Sequence, residues 1–158
     1  FKIFKDQGLH IQAEAFGQGL QLVNIIKDVA ADAQHGRSFL PRTLLFGRDV
    51  EGKEPRSALE LNHVEIKPLF KRARAGLRGA VDYTCRIPET DRDMRLFCLI
   101  PLSMAVKTLE LCEESPSLFD PEQPVKISRE EVHETLEECE ENVASNDAVR
   151  NMFACLCK

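Results

Sequence analysis

The chain has 158 residues, of which 43% are hydrophobic and 30% charged, and its net charge is −5. This composition is typical of one globular domain with a usable core and excludes a disordered or low-complexity chain. The negative charge, together with the lack of basic runs, zinc-finger spacing and aromatic RNA-binding motifs, predicts no nucleic-acid partner.

The six cysteines are scattered along the chain and include no Cys-x-x-Cys pair. Such a distribution favours reduced thiols in a cytoplasmic protein over a disulfide framework or a zinc site. No apolar run approaches the roughly 20 residues of a membrane-spanning helix, so no transmembrane segment is predicted in this sequence.

A long helix is predicted over residues 9–34, and it ends at Gly36, the residue type that best tolerates a left-handed C-terminal cap. Gly17 and Gly19 lie inside this helix, where each lowers helix propensity by about 1 kcal/mol relative to Ala. They indicate either close packing against a neighbouring helix or room for a substrate tail beside this one.

Four polar residues of the long helix fall in one narrow sector at about 100° per residue: Gln21, Asn24, Asp28 and Asp32. The opposite side is apolar and comprises Leu22, Val23, Ile26, Val29, Ala30 and Ala33. No Lys or Arg lies in the polar sector to relieve the like charges, so the row would be costly without a cation. It is either a solvated surface or a cation site.

Two carboxylates four residues apart suit Mg²⁺, which takes oxygen ligands and is commonly bound through one or two carboxylates plus substrate phosphates. Asp28 and Asp32 are therefore the candidate metal-binding and catalytic residues. Gln21 and Asn24 would hydrogen-bond a diphosphate oxygen or a metal-bound water. Arg37, just past the helix, could offer a fork of donors to the same phosphate. The chemistry that this pattern suggests is metal-assisted departure of diphosphate.

Residues 41–62 are rich in Pro, Gly and charge, and we predict a loop there with at most a short helix over 57–61. The next helix is predicted from about residue 64 to Pro88, with Pro68 in its first turn. Its basic cluster is expected to form an exposed face and consists of Lys71, Arg72, Arg74 and Arg78.

A further helix is predicted over residues 92–114, and Pro101 should kink it because proline removes one backbone hydrogen bond. The kink would let the helix curve around a cavity, although a buried apolar helix bent by its proline is an equal alternative.

Ser128 and Glu131 form a capping box that predicts a helix over residues 129–141. A last helix is predicted after Ser145 or Asn146, one of which caps it. Because no stretch alternates as a strand would, the predicted fold class is all-α.

Three stretches carry a resemblance to a known family. LQLVNIIKDVAADAQHGRSFLP, residues 20–41, resembles the second aspartate-rich motif of the squalene/phytoene synthases, the head-to-head prenyl synthases. RLFCLIPLSMAVKTLELC, residues 95–112, resembles the squalene synthase branch, and PVKISRE, residues 124–130, resembles the segment that this branch associates with NADPH. The resemblance implies an all-α prenyl-synthase fold in which residues 1–158 are the C-terminal portion of a single domain.

For the full-length enzyme, the resemblance implies magnesium-dependent head-to-head condensation of two farnesyl diphosphates, through presqualene diphosphate, to squalene. Phe97, Cys98 and Pro101 would line the channel for the isoprenoid tail. For this chain alone we expect no turnover, because the facing aspartate-rich motif of the family is not found in it. The location is expected to be cytoplasmic, with peripheral membrane contact for product release as an open option.

The resemblance also implies NADPH binding by Lys27, Lys126 and Arg129. Where the branch commonly has Arg after the Ile of the Val-Lys-Ile segment, this chain has Ser128, and Arg129 follows one place later. Two other classes stay open: a phytoene synthase or another all-α prenyl-diphosphate enzyme, and a catalytically silent helical fragment.

Overall fold

A computed structural model describes residues 7–46 and 57–157. Over these ranges the chain is helical and contains no strand, which confirms the predicted all-α class. The α-helices of the described ranges are α1 (Gln7–Lys27), α2 (Val29–Gln34), α3 (Arg42–Phe46), α4 (His63–Arg86), α5 (Arg92–Glu114), α6 (Arg129–Asn142) and α7 (Asn146–Met152). Two short 3₁₀ helices, Ala58–Glu60 and Ala154–Cys157, follow α3 and α7. Among the described helices, none has the length and apolar character needed to cross a membrane.

The centre of the fold is the close contact between α1 and α4. A Cβ atom built on Gly19 would lie 2.9 Å from the backbone carbonyl carbon of Gly76, and one built on Gly76 would lie 2.7 Å from the Cα atom of Gly19. Larger residues would therefore force the two backbones apart. A Cβ atom built on Gly17, by contrast, would have no neighbouring heavy atom within 4 Å. Close packing thus explains Gly19, while Gly17 borders open space.

Helix α5 packs against both α1 and α4 and completes the core. It spans Arg92–Glu114, the predicted range, and Pro101 leaves it a single helix. Its buried face is apolar and includes Leu99, Leu102, Val106 and Leu109.

Side-chain caps start three of the helices. The predicted capping box of Ser128 and Glu131 opens α6, and the Ser145 side chain accepts a hydrogen bond at the start of α7. At α4 the Asn62 side chain caps the first turn, so the helix begins at His63. Pro68 consequently lies in the second turn rather than the first, which corrects the prediction.

The predicted loop after Pro41 contains a helix that the sequence reasoning missed. Helix α3 follows Pro41 directly, and the Leu44 amide donates to the Pro41 carbonyl oxygen at 2.9 Å. Burial of Leu45 holds this short helix on the core. The short 3₁₀ helix at Ala58–Glu60 lies within the predicted 57–61, and residues 47–56 lie outside the described residues.

The predicted exposed basic face of α4 is confirmed for Lys71, Arg72 and Arg78, and it is wrong for Arg74, which is half-buried. Arg74 forms a fork with Glu113, whose hydrogen bond raises the arginine pKa, and it also donates to the Cys155 carbonyl oxygen at 3.1 Å. Arg78 donates to the Leu156 carbonyl oxygen at 2.7 Å. These carbonyls belong to the last described turn, so the arginines bind the end of this chain to α4.

Candidate functional site

The polar sector of the long helix forms a ridge that is open to solvent at one end and half-buried at the other, and most of the apolar sector is buried. Gln21 and Asn24 are exposed, and Asp28 and Asp32 are half-buried. On the opposite side the residues that are fully buried are Val23, Ile26, Val29 and Ala30. We call Gln21, Asn24, Asp28 and Asp32 the acidic ridge. The structure therefore confirms which side of the helix is polar and which side packs in the core. The roles of the four residues stay predictions.

The helix that carries the ridge is interrupted at Asp28. Its backbone angles, φ −92° and ψ 7°, depart from α-helical values, so the predicted single helix is divided into α1 and α2. Hydrogen bonds continue on both sides, because the Asp28 amide donates to Asn24 and the Asp32 amide donates to Asp28. The departure is thus confined to the residue that carries the first carboxylate.

The turn after α2 places Arg37 beside the second carboxylate. Gly36 adopts a φ of +69°, as a left-handed cap requires, which confirms its predicted role. The Gly36 amide donates to Ala33 at 3.0 Å and the Arg37 amide donates to Asp32 at 2.8 Å, the two bonds of a Schellman motif. As a result, the Arg37 guanidinium reaches the Asp32 carboxylate at 3.5 Å.

The charges of the ridge are relieved by neighbouring cations that lie outside its sector. Lys27 contacts the Asp28 carboxylate at 2.5 Å, and Arg37 contacts Asp32. Both cations lie outside the narrow sector, one beside Asp28 along the chain and one after the turn. Sequence spacing on a single helix does not reveal either pair.

The donor chemistry of the ridge fits a hard divalent cation in part. Two carboxylates and two side-chain amides offer oxygen atoms on one face, which suits Mg²⁺. The described ranges contain no group of three or more His, Cys, Asp or Glu side chains placed so that they could hold a metal ion. Asp28 and Asp32 could therefore supply only some of the ligands, and a phosphate-bearing substrate or other groups would have to supply the rest.

Beside α1 lies an apolar groove with a volume of about 720 Å³. Its lining residues come from α1, α4 and α5 and are Ala13, Phe16, Gly17, Leu20, Tyr83, Leu96, Phe97, Cys98, Ile100 and Pro101. The three residues predicted to line a channel are thus brought together here. Phe97 is 77% exposed, so a large ring stands open at the groove instead of packing in the core. Burial raises the pKa of the Cys98 thiol.

A second hollow, of about 410 Å³, lies on the other side of the ridge, between α1, α4 and the turn that follows α2. We call it the α1–α4 hollow. It is lined by Gly17, Gln18, Gln21, Leu22, Ile25, Phe39, Pro41, Leu69 and Arg72. Sequence reasoning assigned Arg72 only to an exposed basic face. The available signal was its position three residues after Leu69 and four before Gly76, on the face of α4 that meets α1.

The three residues predicted to bind NADPH do not line one common pocket among the described residues. Lys126 is exposed and lines a hollow of about 460 Å³ with residues from the end of α5 and the following loop. Arg129 is exposed at the first position of α6 and is not among the residues that line this hollow. Lys27 lies at the ridge with Asp28.

Comparison with known proteins gives a family match and several relatives. The family described as squalene/phytoene synthase matches residues 4–131. Squalene synthase clz20 of Cochliobolus lunatus is 30% identical over 124 residues, which cover 73% of this chain and 28% of that protein. Squalene synthase of Ganoderma lucidum is 32% identical over 133 residues, which cover 74% of this chain and 27% of that protein.

A third relative, squalene synthase of Mycosarcoma maydis, is 30% identical over 123 residues, covering 65% of this chain and 21% of that protein. This chain therefore spans about a quarter of the length of the curated relatives it matches. The helical architecture is that of an all-α isoprenoid-synthase fold. The chain belongs to the squalene/phytoene synthase family.

Proposed function

We propose that the full-length protein is a squalene synthase, which condenses two farnesyl diphosphates head to head, through presqualene diphosphate, to squalene. The observation that carries the proposal is the position of the acidic ridge, which runs from α1 through Asp28 into α2, beside the apolar groove of which α1 forms one wall. A diphosphate at one end and an apolar chain at the other would meet matching surfaces along α1 and α2. The relatives named squalene synthase support the choice of product.

In this proposal, Asp28 and Asp32 hold Mg²⁺ together with diphosphate oxygens. The bound ion would neutralise charge on the leaving diphosphate and so assist ionisation. Asn24 and Gln21 donate hydrogen bonds from their amides to the same group. Arg37 is 61% exposed and 3.5 Å from Asp32, so it can exchange this weak pairing for a phosphate at little cost.

The groove has a separate task, which is to hold the isoprenoid tail and keep water from the cation that forms when diphosphate leaves. Its walls are mostly aliphatic and aromatic, and Phe97 and Tyr83 can offer ring faces to a passing positive charge. Pro101 lies at the same groove on α5, where its apolar ring forms part of the wall that would contact the tail.

For the reductive step we propose NADPH bound by Lys126 and Arg129. Both side chains are exposed cations close to the N-terminus of α6, an end of a helix that favours anions such as phosphates. In this arrangement Lys27 forms an ion pair with Asp28. If it is correct, Lys126→Gln raises the KM for NADPH about tenfold. The matched control is Lys67→Gln, an exposed lysine on α4, and it should leave that KM unchanged.

The product distinguishes the proposal from its nearest alternative. Incubation of the full-length protein with farnesyl diphosphate and Mg²⁺ should yield squalene when NADPH is added and presqualene diphosphate when it is withheld. Phytoene as the only hydrocarbon, formed from a longer prenyl diphosphate without NADPH, would contradict the proposal. We expect no turnover from the 158-residue chain alone, and squalene from that chain would contradict this expectation.

A further inference from the structure

We propose that the α1–α4 hollow is an anion site in which Arg72 binds the phosphoryl end of a ligand whose apolar chain crosses α1 at Gly17 into the apolar groove. The proposal deepens the proposed function, on which its choice of ligand depends. It assigns a binding role to Arg72, which lies outside the acidic ridge, and to a hollow that borders the ridge at Gln21.

The first argument is the charge of the hollow. Arg72 is the one ionisable side chain among the described residues that line it, and none of these residues carries a carboxylate. The Arg72 side chain has no ion pair or hydrogen bond with any residue of the described ranges. By contrast, Arg74, two residues later, is held by Glu113. A guanidinium that has no counter-ion among the described residues presents its donors to an anion that enters the hollow.

The second argument is the polar partner across the hollow. Gln21 lines it from α1, is exposed, and makes no side-chain hydrogen bond within the described part of the chain. Gln18, its neighbour there, already donates its amide to Glu14 at 2.8 Å. One amide and one guanidinium therefore face the same space with unused donors. Leu69, 7% exposed, forms part of an apolar floor that weakens competition from water.

The third argument is the path between the two cavities. Gly17 lines both the α1–α4 hollow and the apolar groove, and nothing lies within 4 Å of a Cβ built on it. It lies four residues before Gln21 and so continues the line of the acidic ridge. Because glycine has no side chain, the surface of α1 projects least at Gly17. A ligand with an anionic head and an apolar chain can lie across it.

The test uses the full-length protein and two readouts. The first is binding of inorganic diphosphate in the presence of Mg²⁺, measured by calorimetry. We expect Arg72→Gln to weaken this binding about tenfold, as loss of a charge-assisted contact should, and Arg72→Lys to restore most of it. Lys71→Gln is the matched control, since Lys71 is the adjacent exposed cation and lines a different cleft of α4. It should change the affinity less than twofold.

The second readout is the KM for farnesyl diphosphate. Gly17→Leu should raise this KM about tenfold or more, because its side chain fills the crossing, and should leave inorganic diphosphate binding within twofold of wild type. If the hollow holds a free phosphate without an apolar chain, Gly17→Leu will change neither the KM for farnesyl diphosphate nor the binding of inorganic diphosphate. That result would overturn the proposed crossing at Gly17.

The anion site is overturned if wild-type protein does not bind inorganic diphosphate, if Arg72→Gln binds it as wild type does, or if Lys71→Gln weakens it as much as Arg72→Gln. These failures are separable from failure of the proposed function. Squalene formation with an unchanged KM in Arg72→Gln would reject only the anion site. Arg72-dependent diphosphate binding by a protein that turns over no prenyl diphosphate would reject only the proposed function.

Discussion

The contact between α1 and α4 predicts different effects for one substitution at two glycines of the same helix. Gly17→Ala should stabilise the protein and Gly19→Ala should destabilise it relative to Gly17→Ala. Both residues lie inside α1, so both substitutions gain helix propensity, worth about 1 kcal/mol for Ala over Gly. The difference between them therefore measures the helix contact alone.

The geometry sets the size of that difference. A Cβ on Gly19 would lie 2.9 Å from the carbonyl carbon of Gly76 and 2.9 Å from the amide nitrogen of Leu77. These are backbone atoms of α4, which cannot rotate aside as a side chain would, so α1 and α4 must separate. Overpacking of this kind costs about 1–3 kcal/mol. A Cβ on Gly17 meets nothing within 4 Å and has no such cost.

Urea denaturation followed by far-UV circular dichroism measures the free energy of unfolding of each variant. We expect Gly17→Ala to lie up to about 1 kcal/mol above wild type and roughly 1–3 kcal/mol above Gly19→Ala. Gly19→Ala as stable as Gly17→Ala would refute the close contact. It would also remove the reason for the spacing of the helices that border the α1–α4 hollow.

Three further predictions concern the rest of the chain. Arg95 is buried and donates to the carbonyl oxygens of Val143 at 2.6 Å and Ile87 at 2.8 Å. Arg95→Ala should therefore lower the free energy of unfolding by about 3 kcal/mol or more. The control Arg92→Ala, at an exposed site, should lower it by less than about 1 kcal/mol. Gly36→Ala should lower the melting temperature, because a φ of +69° costs a residue with a Cβ about 1–2 kcal/mol, and Gly36→Asn should lower it less; equal temperatures for all three would contradict the cap. Burial raises the pKa of the Cys112 thiol to about 12, so unfolding releases its proton between pH 9 and pH 12 and the free energy of unfolding falls as pH rises over that window. Cys112→Ala should flatten the slope of the free energy of unfolding against pH, and an unchanged slope would contradict the buried thiol.

Local patterns in the sequence were sufficient for much of the fold. The range of α5 and the caps at Ser128 and Gly36 follow from residue types that act within a few positions of one another. The sector of the acidic ridge follows from helical periodicity for the same reason. The role of Gly19 needed the structure, because the sequence allowed packing and open space equally.

Contacts between distant parts of the chain could not be predicted in this way. Arg74 meets Glu113, 39 residues away, and Arg78 meets a carbonyl 78 residues away, so neither partner is visible in a helical wheel. The departure at Asp28 is a one-residue effect inside a continuous hydrogen-bond ladder, and periodicity does not detect it. Arg72 was assigned to a surface because its hollow exists only when α1, α4 and the turn at Phe39 come together.

The most direct test of the account is the Mg²⁺-dependent release of diphosphate from farnesyl diphosphate by the full-length protein. Asp28→Asn and Asp32→Asn keep the size of each side chain and remove its charge, and each should lower the rate about hundredfold or more. Asp147→Asn, the same change at an exposed position of α7, should leave the rate unchanged. Release at the wild-type rate by both ridge variants would contradict the assignment of this ridge as the metal site.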